Sequence, residues 1–155
     1  MNTLILKKDK IIFDNPYTQI DLGGFVKEYA VDQAVKIIKK HKLHSALVNY
    51  GGDIYALGKK PDASQFSIGI KNPENREMYA QEVFLENQAL TTSASYERNY
   101  TIGTNTYSHI ISQTTKKDTP SSVSVVSSNC VESGVYSTSI MIDRDLETKN
   151  KVIII

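Results

Sequence analysis

Residues 21–24 read Asp-Leu-Gly-Gly and run directly into the clearest helical pattern of this 155-residue chain. From residue 24 to about residue 42 apolar residues recur at helical spacing, and lysines gather in the last turns, where cations suit the helix dipole. Asp21 precedes this helix, where a carboxylate can cap exposed backbone N–H groups. Two glycines let another group approach the backbone closely, and free N–H groups at a helix start favour an anion such as phosphate. The stretch predicts either a capped helix whose turn needs glycine or the opening of an anion site to which Lys27 adds charge.

The rest of the chain is dominated by short strand-like segments. Val131, Val135, Thr138 and Ile142 recur at helical spacing and predict a second helix. A Gly-Thr-Asn stretch at residues 103–105 predicts a hairpin. The expected strands are 3–6, 10–13, 46–49, 54–57, 67–70, 82–85, 99–102, 106–111, 122–127 and 152–155. The prediction is one α+β domain over residues 1–155, with mostly antiparallel strands and at least two helices.

Composition excludes several classes of function. The 18 basic and 17 acidic residues nearly balance, which argues against nucleic-acid or membrane-surface binding driven by net charge. Cys130 is the single cysteine, so the chain forms no internal disulfide. No segment approaches the roughly 18 apolar residues needed to span a bilayer. The first residues lack the apolar core of a signal peptide, so the chain as written is expected to be cytoplasmic.

Three further stretches carry side chains suited to chemistry. Residues 49–53, Asn-Tyr-Gly-Gly-Asp, lie between two expected strands and predict a hairpin turn or a ligand-binding turn. Residues 91–98 place four hydroxyls beside a glutamate and an arginine, as in a polar ligand site or a solvated loop. His109 lies within an otherwise apolar strand, where it either moves protons near neutral pH or is merely hydrogen-bonded.

In order and spacing, these stretches resemble the FAD:protein FMN transferase family, also called the ApbE family. The family pattern runs D-L-G-G-x-x-K-G-Y-A-V-D, N-x-G-G-D, T-S-G-x-Y-E-R, S-H-I-x-D-P-x-T-G and A-D-A-x-x-T. The ordered match extends from about residue 20 to residue 142, and its last element falls at residues 133–138. Five stretches in the correct order are far more specific than any one of them.

The resemblance implies an ApbE-like, T-fold-related domain and a defined chemistry. Family members bind FAD and Mg²⁺, cleave the FAD pyrophosphate, transfer FMN to a threonine or serine hydroxyl of a flavoprotein and release AMP. By position, His109 matches a catalytic base or phosphate-holding group. The matched cofactor-binding residues are Asp21, Gly23, Lys27, Gly51, Gly52, Ser93 and Ile111, and the matched metal ligands are Gly24, through its backbone oxygen, and Thr138.

Several departures from the family pattern bear on activity. Glu28 stands where the family has glycine, and Gly134 replaces the metal-binding aspartate, a loss expected to weaken the Mg²⁺ site. Residues 112–116 replace the D-P-x-T-G segment, and family members carry an N-terminal part before the first motif. Three hypotheses stay open. The chain is an active transferase, or it is a non-catalytic module of the same fold that binds flavin or nucleotide or pairs with a second copy or a partner chain. The third is a structural protein of the same fold that acts without flavin.

Overall fold

The computed structural model describes residues 4–96, 99–110 and 120–155. Within these residues the chain forms eleven strands and two helices. In chain order they are β1 (Leu4–Leu6), β2 (Ile11–Phe13), α1 (Val26–Lys40), β3 (Ala46–Tyr50), β4 (Asp53–Leu57), β5 (Phe66–Lys71), β6 (Tyr79–Leu85), β7 (Gln88–Ala94), β8 (Asn99–Ile102), β9 (Asn105–Ser108), β10 (Ser122–Ser127), α2 (Cys130–Ile142) and β11 (Lys151–Ile154).

A five-stranded sheet with the order β11-β10-β7-β4-β3 organises the molecule. Every neighbouring pair in this sheet is antiparallel. Three antiparallel hairpins, β1–β2, β5–β6 and β8–β9, accompany it. The predicted α+β class, with mostly antiparallel strands and at least two helices, is confirmed.

The central sheet is covered on both faces, because successive side chains of each strand point in opposite directions. In β4, Tyr55 and Leu57 pack in one apolar cluster with Val31 and Val35 of α1. Ala56, between them, packs in a second cluster that contains core residues of the β5–β6 hairpin. Every residue of β4 is buried as a result. The two helices therefore form one layer, the sheet a second and the β5–β6 hairpin a third.

The start of α2 is capped by side chains from two parts of the chain. The side chain of Asn129, the N-cap residue, accepts a hydrogen bond from the Glu132 N–H at 2.8 Å. Asp32 of α1 accepts two more, from the N–H groups of Cys130 at 2.8 Å and Val131 at 3.0 Å. A carboxylate at a helix start also suits the helix dipole. Because Asp32 belongs to α1, this contact fixes the two helices to each other.

The expected cap of α1 is wrong in its detail. The Asp21 carboxylate accepts a hydrogen bond from the Gly23 N–H at 2.7 Å, within the turn before the helix. The helix begins two residues later than expected, at Val26, and the N-cap residue Phe25 makes no side-chain cap. The N–H groups of Phe25 and Val26 instead bond to the carbonyl of Leu22.

One strand was not expected from the sequence. β7 occupies the middle of the central sheet, although residues 91–93 read as a polar loop. Two of its hydroxyls bond to neighbouring elements: Thr92 Oγ1 lies 2.7 Å from Ser124 Oγ of β10, and Ser93 Oγ lies 2.8 Å from Ser137 Oγ of α2. The solvated-loop alternative is therefore wrong for the residues of β7. In the described part of the chain, no helix is long and apolar enough to cross a membrane.

Candidate functional site

An open cleft of about 1490 Å³ lies against the start of α1, the β3–β4 turn, β7 and α2. It brings together every predicted site residue that the structure describes. These are Asp21, Gly23, Gly24, Lys27, Gly51, Gly52, Ser93, His109 and Thr138. Ile111 lies outside the described residues. The assignment of individual roles to these residues stays a prediction.

The β3–β4 turn and the first turn of α1 form one wall of the cleft. Gly51 and Gly52 have positive φ values of 63° and 97°, at which a residue with a side chain would be strained. The two glycines connect β3 to β4, so the predicted hairpin turn is confirmed. A Cβ atom on Gly51 would lie 3.6 Å from Cδ of Lys27, so the turn rests against the stem of that lysine. The glycines thus serve the hairpin and line the cleft at the same time.

Lys27 forms an ion pair inside this wall. Its Nζ atom lies 2.7 Å from Oδ2 of Asp53, whose side chain is only 4% exposed. Burial raises the pKa of the Asp53 carboxyl group, and the hydrogen bond and positive charge of Lys27 oppose that rise. The lysine side chain is 37% exposed, so it can meet a ligand in the cleft while it holds Asp53.

A cluster of hydroxyl groups joins β7 to α2. Ser93 Oγ lies 2.8 Å from Ser137 Oγ and 2.9 Å from Thr138 Oγ1. Both Ser93 and Thr138 also line the cleft. Hydroxyl oxygens are hard ligands that suit a magnesium ion or can donate to a phosphate oxygen.

The sequence pattern placed His109 within a strand, and the structure shows that this prediction is wrong. β9 ends at Ser108, and His109 follows it at an exposed bend. The hydroxyl of Ser108 accepts the Ile110 N–H at 3.1 Å, and such local bonds compete with a strand ladder. The histidine nevertheless lines the cleft, where an exposed imidazole can exchange protons with a bound ligand.

The site also contains a buried acid that sequence reasoning did not assign to it. Glu28 lines the cleft but is only 6% exposed, and its Oε2 atom is buried without a hydrogen-bond partner. Desolvation raises the pKa of this carboxyl group, and the negative charges of Asp53 and Asp32 add to the rise, while a backbone hydrogen bond and the positive charge of Lys27 oppose it. A signal was present, because Glu28 precedes the buried Val31 and Val35 by three and seven positions on one helix face.

The described residues contain no group of three or more His, Cys, Asp or Glu side chains placed to hold a metal ion. A cation in this cleft would depend on fewer carboxylates, together with hydroxyls, backbone oxygens and ligand phosphates. Mg²⁺ is commonly held in this manner, by one or two carboxylates plus substrate phosphates.

Comparison with known proteins identifies related sequences. The ApbE family model matches residues 1–151. The chain is 33% identical over 106 residues to the FAD:protein FMN transferase of Treponema pallidum (strain Nichols), covering 63% of the chain and 29% of that relative. It is 28% identical over 144 residues to the FAD:protein FMN transferase of Rhodobacter capsulatus, covering 92% of the chain and 27% of that relative. The chain therefore spans well under half the length of these curated relatives.

Solved structures show the same fold. The ApbE protein of Thermotoga maritima superimposes with a TM-score of 0.82 at 21% identity, covering 98% of the chain and 53% of that structure. The flavin transferase ApbE from Vibrio cholerae gives a TM-score of 0.80 at 22% identity, covering 98% of the chain and 52% of that structure. The fold described here thus corresponds to about half of each solved protein.

Proposed function

The chain belongs to the ApbE family, and from this premise we propose that it acts as an FAD:protein FMN transferase. In that reaction a threonine or serine hydroxyl of a flavoprotein attacks the FMN phosphorus of FAD. A P–O bond forms to the hydroxyl oxygen, the pyrophosphate bond breaks, and AMP leaves with the bonding electron pair. The hydroxyl proton passes to a base.

One observation carries this proposal. The cleft gathers side chains from regions far apart in the sequence, and each of these regions was expected to hold flavin, metal or the reacting proton. They are the start of α1, the β3–β4 turn, β7, the bend at His109 and the face of α2. The packing of the fold alone does not require a glycine turn, a lysine, a histidine and a hydroxyl cluster to meet in one cleft, so their meeting there favours a shared function.

The start of α1 and Lys27 supply the positive potential that a diphosphate needs. No side chain caps this helix end, so the helix dipole remains available to an anion in the cleft. The side chain of Lys27 is 37% exposed beside the β3–β4 turn, so its ammonium group can meet a ligand phosphate while it stays paired with Asp53. Charge that develops on the phosphate oxygens during transfer would be stabilised here.

His109 is the proposed proton acceptor. Its exposed position at the cleft lets the acceptor hydroxyl of another protein reach it, which a buried base would not allow. An imidazole ring nitrogen is suited to accept a proton near neutral pH.

The residues present also fit a magnesium ion, which is part of the proposal. The buried, unpartnered Oε2 atom of Glu28 and the hydroxyls of Ser93 and Thr138 are hard oxygen donors in one cleft. When bound, the ion would neutralise charge on the phosphates. Gly24, through its backbone oxygen, and Thr138 are the ligands expected from the sequence.

The test is transfer of flavin to a partner protein. Incubation with FAD, Mg²⁺ and a flavoprotein acceptor is expected to give an acceptor band with in-gel flavin fluorescence. His109→Ala should abolish the band, while the matched control His44→Ala, at an exposed position outside the cleft, should leave it unchanged. A blank gel for the wild-type chain, beside a family enzyme that labels the acceptor, would contradict the proposal.

A second candidate function is a flavin- or nucleotide-binding module without catalysis. Gly134 favours it, since the family's metal-binding aspartate is absent at that position. FAD binding by the wild-type chain with equal affinity in the presence and absence of Mg²⁺, combined with the blank gel, would support the module. Binding that strengthens with Mg²⁺ would support the transferase.

A further inference from the structure

We propose that Glu28 of α1 supplies the carboxylate that binds a divalent cation in the cleft, in the space that a side chain on Gly134 of α2 would otherwise fill. The proposal rests on the proposed function for its choice of a divalent cation bound with a diphosphate. The metal-binding carboxylate would thus come from a different helix than the family pattern predicts.

The first argument is the unsatisfied state of one carboxylate oxygen of Glu28. Its Oε2 atom is buried and accepts no hydrogen bond, and the residue is only 6% exposed. An ionised carboxylate withdrawn from water without a partner is costly, so such groups normally pair with a cation or bind a metal. In the described part of the chain the nearby ammonium, that of Lys27, pairs with Asp53, and no salt bridge involves Glu28.

The second argument is the close approach of Glu28 to Gly134. A Cβ atom on Gly134 would lie 2.7 Å from Cγ and 2.8 Å from Oε1 of Glu28. These distances are well inside van der Waals contact, so only glycine at this position leaves room for the glutamate. The carboxyl group therefore occupies the volume into which a side chain at residue 134 would project.

The third argument is the set of oxygens on that side of α2. Residue 138 lies four positions after residue 134, so both project from the same face of the helix. The carboxyl group of Glu28 is thereby brought to the helix face that carries Thr138, whose hydroxyl lies 2.9 Å from Ser93 Oγ. Glu28, Thr138, Ser93 and Gly24 all line one cleft. Carboxylate, hydroxyl and carbonyl oxygens are the ligands that Mg²⁺ and Mn²⁺ prefer.

The sequence contains a reciprocal change that this geometry explains. Residue 28 has gained a carboxylate where glycine was expected, and residue 134 has become glycine where aspartate was expected. The two residues are in contact, so the exchange keeps one carboxylate in the same small volume. A carboxylate simply lost from α2 would leave no reason for an unpaired acid to be buried at that point.

The test measures cation binding directly, with no flavin present. Mn²⁺ is titrated into the protein, alone and with ADP as a diphosphate probe, and the free ion is followed by electron paramagnetic resonance. Wild-type protein is expected to bind Mn²⁺, and Glu28→Gln, which keeps the shape and removes the charge, to bind it at least about tenfold more weakly. The control is Glu132→Gln, whose carboxylate accepts hydrogen bonds from Ser128 and Asn150 outside the cleft. Its affinity for Mn²⁺ should equal that of the wild type.

A second pair of variants, which moves the carboxylate from α1 to α2, tests the proposal if Glu28→Gln does not fold. The double variant Glu28→Gly, Gly134→Asp returns the acid to α2 and is expected to bind Mn²⁺ within a few-fold of the wild type. Glu28→Gly alone should bind it at least about tenfold more weakly. Circular dichroism of each variant checks that the fold is kept.

Two results would overturn the proposal. One is an unchanged Mn²⁺ affinity in folded Glu28→Gln or Glu28→Gly. The other is a wild-type protein that binds no Mn²⁺ either alone or with ADP. Failure of the proposed function is a separate outcome, since Mn²⁺ binding that depends on Glu28 but comes with no flavin transfer leaves the cation site standing and removes only the transferase activity.

Discussion

The two helices lie on the same face of the central sheet, yet they contribute different kinds of side chain to their contacts with other elements. α1 contributes charged side chains that reach outward to other elements: Lys27 reaches the β4 residue Asp53, and Asp32 reaches the start of α2. α2 contributes small residues, and its buried positions include Ser133, Gly134 and Ser137. The acid Glu28 of α1 can therefore be buried against α2 because Gly134 leaves the space that its side chain occupies.

Gly134→Asp should have the largest effect on stability, because it places an acidic side chain on the helix that contributes the small residues. The new side chain would enter the volume held by the carboxyl group of Glu28 and would place two acids together in a buried region. We expect the free energy of unfolding to fall by about 3–5 kcal/mol, the range for an uncompensated buried charge. Urea unfolding followed by circular dichroism measures it.

The matched control for this variant is Gly24→Ala, where an added Cβ atom meets nothing within 4 Å. Its free energy of unfolding should stay close to that of the wild type. Adding Glu28→Gly to the Gly134→Asp chain should recover a large part of the loss, because the two changes act on one contact. Equal stabilities of Gly134→Asp and the wild type would mean that the helices simply move apart, and the comparison would fail.

Lys27→Met should produce the next largest effect, and one that depends on pH. The variant removes the ammonium group that opposes the rise in the pKa of Asp53 and leaves that buried carboxyl group unpaired. The folded state then holds the Asp53 proton more tightly than the unfolded state does. Stability that is present below the unfolded pKa is therefore lost as the pH rises through the higher folded pKa.

Thermal unfolding of Lys27→Met and the wild type across this pH range checks the sign. The melting temperature of the variant should lie well below that of the wild type at pH 7, and the gap should narrow as the pH falls towards the ordinary range of aspartate. Lys36→Met, at an exposed position of the same helix, should show no such trend. A gap that is constant with pH would mean that the lysine acts through packing of its stem rather than through its charge.

The sequence was informative where the signal is local. The helical period identified α1, and the paired glycines identified the β3–β4 turn, because both depend on neighbours in the chain. β7 was missed because the partners of its polar side chains are distant: Ser93 bonds to Ser137 and Thr138 on α2. His109 was placed in a strand because the apolar pattern does not reveal that the Ser108 hydroxyl takes the Ile110 N–H.

The candidate site shows the same limit. Its residues could be predicted from the order of the motifs along the chain, because matching motifs to a family pattern needs no three-dimensional information. The burial of Glu28 was readable from its spacing to Val31, but its contact with Gly134 was not, because that contact joins two helices that are remote in sequence. A departure from a family pattern at one residue gains meaning only when the structure shows which other departure it touches.

Asp32→Ala should give the smallest of these effects on stability. It removes the second contact between the helices, the one between Asp32 of α1 and the start of α2. It removes the acceptor of the Cys130 and Val131 N–H groups, while the Asn129 cap remains. We expect a loss of about 1–2 kcal/mol in the free energy of unfolding, the usual range for a helix cap, and less for Asp32→Asn, which keeps one acceptor oxygen.

Cys130 offers a local measurement, because it is fully buried and burial raises the pKa of its thiol. Thiol reagents should react slowly with the wild type and faster with Asp32→Ala, since fraying of the first turn of α2 exposes the sulfur. An unchanged rate with lowered stability would show that Asp32 supports the whole fold rather than holding this one end of α2 against α1.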